Sequence, residues 1–157
     1  MRGIKKMNLL SEITLKWYDD SSLMLEDREL VTLFLDSLGI TRDIAADVFE
    51  VLLMAKSKNV SLTSAEIRNA VIDLRKKRKK NPDDSSTLRN IQIWIKYFRN
   101  IGMVERVGDR YLFKGNKKPS IVFKENVKPE LIDKSSDYLG RVLERLEQCY
   151  VIKNSGL

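Results

Sequence analysis

The sequence predicts a mostly α-helical protein that carries a small β-hairpin. Apolar residues recur at three- and four-residue spacing over most of the chain. Just after residue 102 the period changes to two, around Gly108-Asp109, a hairpin-turn dipeptide. A third observation concerns charge. Arg75-Lys76-Lys77-Arg78-Lys79-Lys80 places six consecutive cations between two helical patterns rather than in a tail.

From the N-terminus, Leu9, Leu10, Ile13 and Trp17 fall at helical spacing and predict a short amphipathic helix, with Trp17 in the core. Asp19-Asp20-Ser21-Ser22 reads as a loop. A helix over 26–38 buries Leu30, Val31, Phe34, Leu35 and Leu38 and stops at Gly39. Thr41 is a suitable N-cap for a helix over 42–56 with Ile44, Ala45, Val48, Phe49, Leu52 and Leu53 inside. Residues 60–62 form a short extended piece. Thr63-Ser64-Ala65-Glu66 is a capping box opening a helix over 63–75, whose buried stripe is Ile67, Ala70, Val71 and Leu74.

The basic run follows, and Asn81-Pro82 ends it. Asp83 to Thr87 offers several N-caps to a helix over 85–100, where Leu88, Ile91, Trp94, Ile95, Phe98 and Ile101 make a wide apolar face. Strands 103–107 and 110–113 flank the hairpin turn. Residues 114–128 read as an extended connector, and a last helix covers 129–151. In that helix Leu139, Val142, Leu146 and Cys149 form an apolar stripe that either folds back on the rest or joins two copies.

Three parts follow: an acidic extension over 1–40, a basic domain over 41–114, and a connector with a terminal helix over 115–157. Net charge is −4 over residues 1–55 (6 basic, 10 acidic), +11 over 56–118 (17 basic, 6 acidic) and zero over 119–157 (6 of each), summing to +7. A polyanion-binding footprint in the middle third is the implication, with nucleic acid the commonest such partner. Several classes are disfavoured. The chain has no histidine, which removes Ser–His and Cys–His nucleophiles and the commonest zinc ligand. It has no Gly-rich phosphate loop. Asp19/Asp20 and Asp83/Asp84 are adjacent pairs suited to turns and caps. The expectation is therefore a non-enzyme with no metal and no cofactor. The lone Cys149 excludes an internal disulfide, and no apolar stretch is long enough for a bilayer, so a cytoplasmic protein without membrane association is expected.

The element order over 41–114, the capped start Thr63-Ser64-Ala65-Glu66-Ile67 and the ending Phe98-Arg99-Asn100-Ile101-Gly102-Met103-Val104-Glu105-Arg106 resemble the winged helix-turn-helix family of DNA-binding regulators. Leu38-Gly39-Ile40-Thr41-Arg42 is similar to the entry of archaeal members. The resemblance implies a regulator that binds duplex DNA, with helix 85–100 in the major groove and the 103–113 hairpin as the wing. About nine residues, Lys76 to Asp84, separate the two central helices, where the family uses only a few.

A helical wheel of 85–100 sets Ser85, Ser86, Arg89, Asn90, Ile93, Lys96 and Tyr97 opposite the apolar face, with Gln92 at the margin. Arg suits guanine, Asn or Gln suits adenine, and an apolar tip suits a thymine methyl. Ser85, Ser86, Arg89, Asn90, Gln92, Ile93 and Lys96 are the candidate base readers. Arg75, Lys76, Lys77, Arg78, Lys79, Lys80, Tyr97, Arg106 and Arg110 are the candidate backbone contacts. Leu139, Val142, Leu146 and Cys149 are the candidate dimer contacts, giving two half-sites. Two other partners fit the same residues: the general transcription or replication machinery, bound through a winged-helix interaction module, and RNA bound through the basic segment.

Overall fold

Phe49 sits where four elements meet, and its packing explains most of the architecture. The computed structural model describes residues 7–78 and 87–154. Phe49 lies on α2 (Asp43–Ser57), the most deeply buried helix, with Ala45 and Val48 fully enclosed. Its ring stacks on Phe34 of α1 (Asp27–Ser37) at 5.0 Å between centroids, tilts against Phe98 of α4 (Leu88–Asn100) at 5.1 Å, and meets Phe113 of the sheet edge-on at 5.7 Å. Such offset and edge contacts are the favoured aromatic geometries. Ile67, Val71 and Leu74 of α3 (Ser64–Lys77) and Ile91 and Ile95 of α4 complete the core.

Strands β1 (Leu62–Thr63), β2 (Val104–Val107) and β3 (Arg110–Phe113) form an antiparallel sheet in the order β1-β3-β2. Leu62 pairs with Tyr111, Val104 with Phe113 and Val107 with Arg110. Val104 and Phe113 turn into the core while Val107 stands exposed at the tip. Gly108 takes φ +66 in the two-residue turn, as a tight hairpin requires.

The capping box at α3 forms as the sequence predicts. Thr63 Oγ1 accepts from the Glu66 N–H at 3.2 Å, and Glu66 Oε1 accepts from the Thr63 N–H at 3.0 Å. Thr87 caps α4 by accepting from the Asn90 N–H at 3.3 Å.

Several expectations need correction. Residues 9–17 are not helical: they form no regular secondary structure and pass the end of α1, where Lys16 N–H donates to the Ser37 carbonyl at 2.8 Å. Trp17 is 91% exposed and not in the core. Thr14 lies 3.1 Å from where a Cβ on Gly39 would stand, so Gly39 serves both the turn (φ +79) and this close approach. Thr41 is not the cap of α2; Arg42 holds that position and gives no side-chain bond. The connector is helical: α5 (Pro119–Val122) leads into a π-helical stretch (Phe123–Asp133) and then α6 (Lys134–Cys149). Pro119 opens it at the position where a missing N–H costs nothing. Pro129 lies inside the wide-turned stretch, where a regular helix would lose a hydrogen bond. Val122 and Val127 anchor this segment in the core. Of the two alternatives open for the α6 stripe, folding into the core is not what is seen: Cys149 is exposed, and no residue of α6 is buried.

Among the described residues, no helix is long and apolar enough to cross a membrane.

Candidate nucleic-acid interface

α4 owes its orientation to three residues spaced four and three apart. Ile91, Ile95 and Phe98 are buried against α2, α3 and β2, and this fixes what the helix shows outward. Arg89, Gln92, Lys96 and Arg99 fall at steps of three, four and three and are all exposed, with Ile93 beside them at 51%. Two wheel positions turn out differently. Asn90 is half-buried. Tyr97 is half-buried too, stacked on Trp94 at 5.7 Å, and it lines a recess with Ile13, Thr14 and Leu38. Burial pushes the Tyr97 phenol above its ordinary pKa. Tyr97 therefore serves the seat of the N-terminal segment. Phe98 and, in part, Trp94 are core residues, as their spacing predicts.

The exposed row of α4 opens into a groove of about 670 Å³ between that helix and the β2–β3 hairpin. Gln92, Lys96, Arg99 and Asn100 form one wall, and Glu105, Arg106, Tyr111 and Lys114 the other. Four cations face one carboxylate there. Glu105 is occupied by accepting from the Gly115 N–H. Arg99 lies over the Tyr111 ring at 5.9 Å, a cation–π distance that braces helix against hairpin. Arg106 Nε donates to the Gly108 carbonyl at 2.7 Å, holding the guanidinium along the turn.

Arg110 faces the other way. It donates to the Ser61 carbonyl at 2.9 Å and to Glu66 Oε1 at 3.2 Å, tying β3 to β1 and to the cap of α3. The Thr63 backbone N–H and hydroxyl hold the Glu66 carboxyl below the usual carboxylate range, and Arg110 adds to this.

The six-cation run divides. Arg75 is 5% exposed, and its Nε donates to Asp47 Oδ2 at 2.7 Å. This corrects its expected place on a phosphate: a buried guanidinium bound to a buried carboxylate is a structural group. Arg78 is half-buried and donates to Glu50 Oε2 at 2.7 Å. Arg28 of α1 completes the cluster, meeting Asp47 at 2.8 Å, Glu50 at 3.0 Å and Asp43 at 3.5 Å. Burial pushes the Glu50 carboxyl up, but hydrogen bonds from Arg78 and Arg28, and their charges, hold it below its ordinary value. Lys76 and Lys77 are exposed. Lys79, Lys80, Ser85 and Ser86 lie outside the described residues.

Comparison with family models, with curated proteins and with solved structures gives no match.

The sequence reading missed Arg99, Asn100, Tyr111 and Lys114, which share the groove with Lys96 and Arg106. Arg99 was within reach of it, since it continues the three-four-three row from Arg89. Lys114 was not, because it joins the groove only through the turn that follows β3. The four stripe residues of α6 all lie exposed on that helix.

Proposed function

We propose that this protein binds duplex DNA as a winged helix-turn-helix transcriptional regulator of the cytoplasm, acting as a binding protein and not as a catalyst. One observation carries the reading. The exposed row Arg89, Gln92, Ile93 and Lys96 runs without a break into a cationic groove beside the hairpin. An α-helix fits the major groove, and such a row mixes the side chains suited to guanine, adenine and a thymine methyl. The flanking Arg99, Arg106 and Lys114 suit phosphates, which position without specifying. The order α3, α4, β2–β3 hairpin supports this reading, in which α4 would read bases and the hairpin would be the wing.

Gel shifts with duplex DNA, single strands and structured RNA at two salt concentrations test this. The expected result is preferential retardation of duplex, weakening steeply with salt. In a selected site, Arg89→Ala should cost about 1–3 kcal/mol and relax preference at one position. Failure to retard any duplex at low salt would overturn the proposal.

A second reading is favoured by the exposed apolar residues of the N-terminal segment, among them Leu10, Trp17 and Met24. Large exposed apolar patches mark protein contacts. Under that reading the chain is an interaction module of the transcription machinery, and the gel shift would show only weak, indiscriminate binding.

A further inference from the structure

α6 carries an apolar seam that no described residue of its own chain buries. Leu139, Val142, Leu146 and Cys149 recur at steps of three, four and three, which is a heptad seam of two turns of repeat. None of the helix is buried: Leu139 is 61% exposed and Leu143 58%. Tyr138, Leu143 and Tyr150 widen the face on both flanks, and Val151 and Ile152 extend it. We propose that this face is covered by the same face of a second copy of the chain, giving a two-fold dimer joined through α6.

Three features select a second copy over a different protein. The first is charge. α6 holds Lys134, Arg141 and Arg145 against Asp137, Glu144 and Glu147, so it is neutral in a chain of net +7. Two copies can approach along this helix without the repulsion that opposes contact through the basic third. The second is the pattern beside the seam. Tyr138 and Arg145 lie on one flank, Leu143 and Tyr150 on the other. In an antiparallel pair Arg145 comes beside Tyr138 of the partner subunit; in a parallel pair it comes beside Tyr150 of the partner subunit. Either way the flank joins a cation to an aromatic ring and an apolar residue to another ring, with no like charges opposed. A surface that satisfies itself under two-fold rotation is what an isologous contact needs. The third is size. The exposed surface of these residues is on the order of 800 Å² per chain, the upper bound of what the contact can bury and comparable with one partner's share of a standard interface.

The dimer stands by itself. Its consequence, two α4 helices presented to two half-sites, rests on the DNA-binding reading.

Sedimentation equilibrium of the full chain, without DNA, tests the proposal. The expected mass at micromolar concentration is that of two chains. Leu139→Glu/Leu146→Glu should sediment as one chain while keeping the tryptophan fluorescence of the wild type, since both tryptophans lie outside α6 and nothing in α6 belongs to the core. Leu146→Gln, milder and compatible with a helix, should raise the dissociation constant at least tenfold. A wild-type monomer at tens of micromolar would assign the stripe to some other protein and overturn the proposal, as would variants that remain dimeric. A dimer that ignores every duplex would leave this inference standing and sink the DNA reading.

Discussion

Asp47 holds two arginines from a position 2% exposed, one from α1 and one from α3. Removing it strands Arg75 and Arg28 with less than their full complement of acceptors. Asp47→Ala should therefore cost about 3–5 kcal/mol, the range for breaking a buried pair, measured by chemical denaturation. Its neighbour Glu50 adds a pH dependence whose sign is fixed. The Glu50 carboxyl is held below its ordinary value, so it takes up a proton more readily in the unfolded chain. Its contribution is complete above the ordinary carboxylate pKa of about 4.3 and is lost as pH falls through the lower folded value. Acid titration of stability should show this loss below pH ~4, and Glu50→Gln should reduce it. These pairings also say why a run of six cations is not six surface charges. Helical periodicity turns Arg75 inward with Leu74 and Val71, a direction that the run's composition conceals.

At the scale of elements, the helices with strong caps and regular apolar stripes were legible. α3 was given by Thr63 and Glu66, α4 by Ile91, Ile95 and Phe98, and the hairpin by Gly108-Asp109 between alternating strands. Segments whose form depends on distant partners were not. Leu9, Leu10 and Trp17 have helical spacing but stay exposed; the segment is held instead by Ile13 and Thr14 in the recess beside Leu38 and Tyr97 and by the Lys16 N–H on the Ser37 carbonyl. Pro129 reads as a helix start, yet Val122 and Val127 dock the preceding turns and the proline is absorbed in wide turns. The groove was half legible: Lys96 and Arg106 were identified, while Arg99, Tyr111 and Lys114 needed the hairpin placed against α4. Two substitutions probe elements directly. Ile93→Asp, on the outward face of α4, should leave stability within about 0.5 kcal/mol, by thermal unfolding, while abolishing specific duplex binding. Gly140 has open space where a Cβ would stand. Gly140→Ala should stabilise α6 by about 1 kcal/mol, seen as slower amide exchange along that helix.

For the whole molecule, charge is segregated by sequence third, and the fold joins the acidic and basic thirds at one place: Asp47 and Glu50 of α2 take up Arg75 and Arg78, while Lys76 and Lys77 stay exposed to solvent or ligand. Replacing Lys76, Lys77, Lys79 and Lys80 by alanine should weaken binding to all duplexes alike. If all four meet phosphates, the slope of log K against log salt should shallow by roughly 3.6; an unchanged slope would remove them from the contact. The Glu66 carboxylate has a last consequence at this scale. It closes the cap of α3 and grips Arg110 of β3 at once. An exposed pair of this kind adds little stability, so buried Val104 and Phe113 fix the hairpin on the helices and Glu66 ties its outer strand to α3. A ligand entering the groove meets a surface already set, so little ordering entropy is spent when it arrives, and association should show a small heat-capacity change for its contact area.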